Sequence, residues 1–218
     1  SGEYCFPREP VHEEKITFRD LSEYENVDFQ GFRGDIYVKE AIIPEGASVI
    51  PKSQFFECRS LEKVYLPESV SGIEDYAFAD CHVLKVWESI EKLSLKSVGI
   101  SAFENCYALE FVSLPDSLTV IGGAAFAECV SVNKLIFSDT SLLKKIGDHA
   151  FRGCRNLKEV YLPDSVEYVG VSAFRDCSSL EQISVSEKIK KQPGIAELEK
   201  NCPNARIRFR EVNSVEKE

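Results

Sequence analysis

The sequence of 218 residues contains no methionine, a single tryptophan and only three histidines. It also lacks any run of the roughly 18 apolar residues that a membrane-spanning helix needs, so we expect no membrane insertion within this chain. No Asn-x-Ser/Thr triplet occurs, so the usual acceptor for N-linked glycans is missing. The chain begins Ser1-Gly2, and we expect a processed start that leaves any signal or anchor of the parent gene out of view.

Catalytic signatures are equally scarce. His12, His82 and His149 are far apart and share no acid or nucleophile at a motif spacing. There is no glycine-rich phosphate loop and no His-Glu-x-x-His zinc motif, so the sequence predicts neither an enzyme nor a cofactor nor a metal site. The formal net charge of -10 disfavours nucleic acid as a partner, because a phosphate backbone attracts basic proteins.

Cysteine, in contrast, is abundant and regularly spaced. Seven of the eight cysteines follow one another at intervals of 23, 25, 23, 25, 23 and 25 residues, so two consecutive units span 48 residues. These seven are Cys58, Cys81, Cys106, Cys129, Cys154, Cys177 and Cys202. Random placement would not give this alternation, which indicates an internal repeat.

The residues around each cysteine repeat with it. In most units a phenylalanine lies three positions before the cysteine, an aliphatic residue eight before, and apolar residues three, six and eight after. The phenylalanines are Phe55, Phe78, Phe103, Phe126, Phe151 and Phe174. The frame continues upstream, where Asp35 takes the cysteine slot and Ile16 falls in the strand of a still earlier, degraded unit.

The spacing of apolar residues changes character within each unit. Val160 and Leu162 alternate with period two, which predicts a strand with one buried face. Phe151, Cys154 and Leu157 are three residues apart, which predicts a short helical turn. Each 23–25-residue repeat is thus predicted to be α/β, with one short parallel strand plus one short helical turn, and to bury its apolar side by stacking in a solenoid. Every second unit lacks the proline that follows the strand and should have a longer turn.

We divide the chain into three parts. Residues 1–30 form an N-terminal cap that includes the degraded first repeat, residues 31–190 form the repeat array, and residues 191–218 form a C-terminal cap repeat and tail. Because the ends of a solenoid need polar covers, we expect a short helix over Gly194 to Asn201 in the C-terminal cap.

The cysteines allow three interpretations: disulfides, a metal site, or a structural ladder of buried thiols. Adjacent strands lie about 4.7–4.9 Å apart, whereas a disulfide joins Cβ atoms about 3.5–4.5 Å apart. A line of single cysteines also does not converge on a tetrahedral zinc ion. We therefore favour the ladder, in which each S–H group meets a backbone carbonyl at the turn. Cys5 lies outside the ladder and is the cysteine that we expect to react.

The sequence Arg33-Gly34-Asp35 is the tripeptide that host integrins recognise on exposed loops. Gly34 and Asp35 nevertheless fill the slots that Gly153 and Cys154 fill in a later unit. We therefore expect the Asp35 side chain to face the turn of the stack, and we favour this structural role over integrin binding because so short a motif is common by chance.

Between the buried positions of each strand lie residues that should face outward, on the wall that we expect to be concave. One row comprises Lys63, Val86, Phe111, Lys134, Glu159 and Gln182, and the next comprises Tyr65, Glu88, Ser113, Ile136, Tyr161 and Ser184. Trp87 is unusually large for the core slot that it fills in this frame, so the register of its unit is open. Apolar residues on such a face reflect either strand propensity or a binding stripe. Our candidate partner-binding residues are Lys63, Tyr65, Phe111, Lys134, Ile136, Glu159 and Tyr161.

The run from Ile146 to Val166 is similar to the repeats of the bacterial surface antigen A-like (Treponema-type) leucine-rich repeat family, as are residues 121–135 and 169–185. The resemblance implies a right-handed, curved leucine-rich-repeat solenoid. It also implies surface or secreted proteins of host-associated bacteria, which are often adhesins. Family membership fixes a fold better than it fixes a partner.

Two functions remain open at this point. In the first, the chain is a non-catalytic, cell-surface or secreted module that recognises a protein or glycan partner on its concave face. In the second, it is a structural spacer within a larger surface protein, and binding is done elsewhere. A contiguous apolar or aromatic patch on the strand face would favour recognition, and a featureless charged wall would favour the spacer.

Overall fold

The computed structural model describes residues 15–17, 32–88 and 94–211, with the backbone alone at 15–17 and 86–88. The chain forms a β-solenoid of right-handed type with about seven turns. Six consecutive turns each contribute one strand to each of two walls, and the apolar residues of the described units meet between the walls. Repeats of this size bury their apolar side only against neighbouring repeats, so the core extends along the whole stack.

The first wall contains the strands that the period-two alternation predicts. Its strands are β1 (Lys15–Thr17), β2 (Glu40–Ile42), β4 (Lys63–Tyr65), β6 (Val86–Glu88), β8 (Phe111–Ser113), β10 (Lys134–Ile136), β12 (Glu159–Tyr161), β14 (Gln182–Ser186) and β15 (Arg206–Arg210). They form a four-stranded sheet in the order β1, β2, β4, β6 and a five-stranded sheet in the order β15, β14, β12, β10, β8. All pairings are parallel and in the frame of the repeat.

The register around Trp87 follows this frame. Val64 pairs with Trp87, and the residues on either side pair in step, so the unit that departs most from the repeat keeps its strand in line. At the N-terminal end, Ile16 pairs with Ala41, which confirms a strand in the degraded upstream unit.

The second wall was not anticipated from the sequence. It is one six-stranded parallel sheet of two-residue strands, each of which contains the aliphatic residue eight positions before the cysteine. Its strands are β3 (Val49–Ile50), β5 (Gly72–Ile73), β7 (Ser97–Val98), β9 (Val120–Ile121), β11 (Lys145–Ile146) and β13 (Tyr168–Val169). Six consecutive units, from the one that begins with β2 to the one that begins with β12, therefore place two strands rather than one, whereas β14 is followed by helices.

The predicted helical turn of each unit is not confirmed. In the Phe55 unit, the amides of Ser53, Phe55 and Glu57 donate to carbonyls of the next unit at 2.8–3.0 Å. The amides between them, at residues 54, 56 and 58, donate to the carbonyl three residues back at 3.1–3.2 Å. Consecutive turns tied to the neighbouring unit take the place of a helix, and the same alternation recurs along the stack.

Two positions of this turn segment, four residues apart, have the backbone in the left-handed region. The first column comprises Ser53, Tyr76, Ser101, Ala124, His149 and Ser172, and the second comprises Glu57, Asp80, Asn105, Glu128 and Asp176. Their φ values lie between 52° and 62°. A left-handed conformation costs a non-glycine residue roughly 1–2 kcal/mol, and the hydrogen bonds between units offset this cost.

The core is built from identical side chains in register. The seven rings of Phe32, Phe55, Phe78, Phe103, Phe126, Phe151 and Phe174 stack with centroids 5.1–5.9 Å apart and interplanar angles of 2–16°. Neighbouring backbones also approach closely. A Cβ on Gly147 would lie 2.5 Å from the backbone nitrogen of Gly123, so only glycine fits there.

The C-terminal unit closes with helices and a long strand. Ser186 caps a 3-10 helix at Glu187–Ile189 by accepting a hydrogen bond from the Lys188 amide. Two short α-helices follow where one short helix was predicted, α1 (Pro193–Ala196) and α2 (Leu198–Asn201). Strand β15 then pairs with β14 over five residues. The division at residues 30 and 190 stays a prediction.

Candidate interaction surface on the first wall

The seven candidate residues fall on both sheets of the first wall. Lys63 and Tyr65 lie on β4 in the four-stranded sheet, where both are half-buried. The other five lie on β8, β10 and β12, which are adjacent strands of the five-stranded sheet. The structure therefore brings five of the seven together as one set of neighbours and places two in a separate sheet.

In the five-stranded sheet the outward residues form two rows. Lys134 pairs with Phe111 on one side and with Glu159 on the other. In the second row Ile136 pairs with Ser113, and Tyr161 occupies the equivalent position on the next strand. The rows follow directly from the alternation of each strand, because Val112, Leu135 and Val160 between them are buried.

Three large apolar side chains stand exposed on this face. Phe111 is 41% exposed, Ile136 is 38% exposed and Tyr161 is 54% exposed. Lys134 and Glu159, which are also exposed, lie between and beside them. The face thus combines apolar area with both signs of charge, which is an arrangement typical of surfaces that bind other molecules.

Arg210 of β15 adds a contact that the sequence analysis missed. Its guanidinium carbon lies 3.6 Å from the centroid of the Tyr161 ring. One of its terminal nitrogens donates to the Leu162 carbonyl at 2.6 Å and to Oδ1 of Asp164 at 2.7 Å. Arg210 therefore fixes one side of Tyr161 by a cation–π contact and joins the last strand to the turn after β12.

This contact crosses an intervening strand. Ser184 and Ser186 of β14 lie between Tyr161 and Arg210, and both serines are buried. Because serine is short, the arginine side chain can extend over it to the tyrosine. The alternation of arginine with apolar residues from Arg206 to Arg210 was the available signal, since it marks a strand in a segment assigned to the cap.

The seven ladder cysteines are free thiols buried between the walls. Each Sγ donates to the carbonyl of the phenylalanine in the preceding unit, as in the 3.1 Å contacts from Cys81 to Phe55 and from Cys129 to Phe103. Among the described residues no group of three or more histidine, cysteine, aspartate or glutamate side chains is placed to hold a metal ion. Cys5 lies outside the described residues.

Burial governs the acidity of these thiols. Loss of solvation, assisted by the negative charge of Asp35, raises the pKa of Cys58 to about 12. Burial likewise raises the pKa of Cys202 to about 11. The pKa of Cys106 lies well above the ordinary value for the same principal reason. A thiol reacts as the thiolate, so this environment makes the ladder unreactive near neutral pH.

The Arg33-Gly34-Asp35 segment is engaged in the turn. Oδ1 of Asp35 accepts hydrogen bonds from the amides of Tyr37 at 2.7 Å and Val38 at 2.9 Å. The guanidinium of Arg33 lies 4.7 Å from the Phe56 ring centroid. The acidic group that an integrin would need is thus used to hold the local backbone, which supports the structural interpretation.

The histidines form no catalytic arrangement within the described part of the chain. His82 stacks on Tyr107 with centroids 4.6 Å apart, and its Nε2 lies 3.6 Å from Oδ1 of Asp80. Neither His82 nor His149 has a serine or cysteine side chain as a described hydrogen-bond partner. His12 lies outside the described residues. This geometry offers no nucleophile for a histidine base to activate.

The repeat is matched by a family model for the BspA-type leucine-rich repeat region, which finds six copies over residues 2–129 and 96–196. The chain belongs to the BspA-type leucine-rich repeat family. Its two walls, phenylalanine stack and cysteine ladder are therefore the structure of a BspA-type array. No curated protein matches the chain.

Several solved structures are similar to this BspA-type array. A leucine-rich repeat protein from Bacteroides ovatus is 21% identical with a TM-score of 0.55, and the match covers 89% of this chain and 64% of that one. The leucine-rich repeat protein of T. pallidum is 24% identical with a TM-score of 0.51, covering 91% of this chain and 74% of that one. The pneumococcal vaccine antigen PcpA is 28% identical with a TM-score of 0.53, covering 70% of this chain and 37% of that one.

These proteins share the fold, and the chain spans less than two thirds of the Bacteroides ovatus protein. Among the described residues there is no helix whose length and apolar character would let it cross a membrane.

Proposed function

We propose that this BspA-type array is a non-catalytic recognition module whose first wall binds a protein or glycan partner. The observation that carries the proposal is the exposure of Phe111, Ile136 and Tyr161 on three adjacent strands of one face. Leaving apolar area in water forgoes about 25 cal/mol for each Å². A partner that covers these side chains would recover that free energy.

The charges beside the apolar residues bear on specificity. Lys134 on β10 and Glu159 on β12 are opposite each other in the strand register, and both are exposed. Each therefore offers a charge to a partner at the edge of the apolar stripe. Interfaces commonly surround a few apolar or aromatic anchors with polar groups that exclude wrong partners. Tyr161 suits the role of an anchor because Arg210 already restricts its ring and lowers the entropy lost on binding.

The cellular setting that we propose is the cell surface or the extracellular medium. Support comes from the similarity to PcpA, whose structure is described as that of a pneumococcal vaccine antigen. We further propose that the first wall is the concave side of the solenoid and that its outer face is the binding face. A curved wall would present the rows on β8, β10 and β12 to a partner together.

The test starts from a pull-down with host extracellular-matrix and serum proteins and follows one captured partner quantitatively. The informative variant is Phe111→Ala with Ile136→Ala, because these two side chains are exposed and make no contact comparable to that between Tyr161 and Arg210. We expect affinity to fall at least about tenfold, as is common when anchor residues of an interface are truncated. The melting temperature should change little.

A matched control removes similar apolar area from another surface. Ile100 is 49% exposed and Val171 is 39% exposed, and both lie on turns that follow the second wall. Ile100→Ala with Val171→Ala should leave affinity for the captured partner unchanged. If the two double variants weaken binding equally, or if neither does, the array is better described as a spacer between other binding domains.

A further inference from the structure

Strand β15 is the outermost strand of the five-stranded sheet. The Arg206 amide donates to the Glu181 carbonyl at 2.7 Å, on the side of β14. Because the backbone groups of a strand point to alternate sides, those of Ile207 and Phe209 point away from β14. No strand of the described chain pairs with this far edge, and the unpaired donors and acceptors of a strand edge are a template for an added strand.

The side chains of β15 alternate between two chemistries. Arg206 and Arg208 are exposed on the outer face, and neither forms an ion pair with any described residue. Ile207 and Phe209 are in register with the buried Ile183 and Val185 of β14, on the core side. Phe209 is nevertheless 37% exposed, although Nζ of Lys190 lies 4.7 Å from its ring centroid. The edge thus offers arginine and apolar positions in strict alternation.

The charge of this region differs from that of the chain as a whole. Residues 181–211 contain seven basic and five acidic side chains, whereas the whole chain has a net charge of -10. A second copy of β15 would place arginine opposite arginine, and like charges directly opposite each other destabilise a strand pair. A strand with acidic residues opposite the arginines would instead be attracted. Charge complementarity therefore selects an acidic segment over a second copy of this chain.

We propose that the edge of β15 that no described strand occupies binds an extended segment of another protein in which acidic and apolar residues alternate. The segment adds one strand to the sheet, with its acidic side chains beside Arg206 and Arg208 and its apolar side chains against Ile207 and Phe209. This mode of recognition takes affinity from main-chain hydrogen bonds and specificity from alternate side chains. It uses the strand edge at β15, which is separated from Phe111 on β8 and Ile136 on β10 by strands β14 and β12 of the same sheet.

The probe is a fluorescent peptide with the core Glu-Val-Glu-Val-Glu, titrated with the full chain and followed by anisotropy. A peptide of equal composition with the core Glu-Glu-Glu-Val-Val has the same charge without the alternation. We expect the alternating peptide to bind about tenfold more tightly, since each favourable cross-strand pair adds up to about 1 kcal/mol. Equal binding of the two peptides would reduce the effect to unspecific charge attraction and overturn the proposal.

The second part of the experiment reverses the charge of the two exposed arginines of β15. Arg206→Glu with Arg208→Glu should weaken the alternating acidic peptide at least about tenfold and create binding of a Lys-Val-Lys-Val-Lys peptide. Lys52→Glu with Arg59→Glu makes the same change of net charge at exposed residues elsewhere and should alter neither affinity. Because a misfolded variant would bind neither peptide, binding of the basic peptide would show that the loss of affinity for the acidic peptide is not caused by misfolding.

Backbone methylation tests whether a strand is added. Two alternating peptides carry N-methyl groups at either the odd or the even core positions, and we expect one to bind and the other not, because only one set of amides faces β15. Equal binding of both would exclude strand addition. If no alternating peptide binds at all, the arginines serve only to protect the edge against aggregation. Phe111→Ala with Ile136→Ala should leave peptide binding unchanged.

Discussion

The buried positions of the turn segment and the outer face of the first wall have the same repeat spacing, but the residue type is nearly constant at the former and varies at the latter. At the buried positions of the turn segment, seven stacked phenylalanines and seven cysteines recur, with Asp35 in the cysteine position of the first unit and Glu199 in the phenylalanine position of the last. On the outer face of the five-stranded sheet, one row passes from Phe111 to Lys134 to Glu159. A buried residue of the turn segment packs against the equivalent residues of the preceding and following units, so a substitution would disturb both of these contacts. A residue of the outer face is free to vary because its main neighbour is solvent.

The test with the largest expected effect replaces one phenylalanine by alanine in each of the two regions. Phe126 is fully buried in the stack, whereas Phe111 is 41% exposed on β8. Phe126→Ala should lower the free energy of unfolding by about 3–5 kcal/mol, because it leaves a cavity between two rings. Phe111→Ala should change it by about 0.5 kcal/mol or less. Urea denaturation followed by circular dichroism measures both, and similar losses would show that the outer face contributes to packing.

The second test concerns the backbone instead of the side chains. A Cβ on Gly147 would lie 2.5 Å from the Gly123 nitrogen, whereas a Cβ on Gly123 would have its nearest contact 3.4 Å away, at the Asp148 carbonyl oxygen. Gly147→Ala should therefore cost about 1–3 kcal/mol through overpacking. Gly123→Ala should be nearly neutral in the same thermal melts. Neutral behaviour of both variants would mean that adjacent turns can separate without loss.

The smallest expected effect is a change in how the free energy of unfolding depends on pH, and it comes from the Cys58 thiol of the cysteine ladder. Cys58 has a pKa raised by burial to about 12, above the value of about 8.5 for an unfolded thiol. The stability from this shift is complete below pH 8.5 and is lost as the pH rises toward 12, because only the unfolded chain releases the proton. Between pH 9.5 and 11, Cys58→Ala should reduce the downward slope of the unfolding free energy by about 1.4 kcal/mol per pH unit. Parallel slopes for both proteins would indicate that the thiol titrates in the folded state.

The sequence predicts the first wall well because its strands leave a clear signal. An alternation such as Lys134, Leu135 and Ile136 places one buried residue between two exposed ones, and the structure has that pattern. The two-residue strands of the second wall contain too few residues for an alternation to be recognised. A spacing of three is shared by helices and consecutive turns, so Phe151, Cys154 and Leu157 do not distinguish them. The left-handed residues exclude the helix, and the one-dimensional pattern does not show them.

The candidate surface was predictable to a similar extent. Strand alternation was sufficient to place Phe111, Ile136 and Tyr161 on the outer face. The contact between Tyr161 and Arg210 was not predictable, because it passes over the whole of β14 and depends on two buried serines there. Contacts between adjacent repeats follow from the frame, whereas contacts between repeats two apart depend on the size of what lies between them.

The left-handed residues of the turn segment change how strain should be interpreted in a protein of this kind. Backbone outliers in an ordinary domain often mark a functional site, because evolution tolerates strain where chemistry requires it. Here all eleven non-glycine outliers of the described chain recur at the period of the repeat, including residues as different as Ala124 and His149. Periodic strain is part of the architecture and marks no site. In such an array the outlier that deserves a functional explanation is the one that breaks the period.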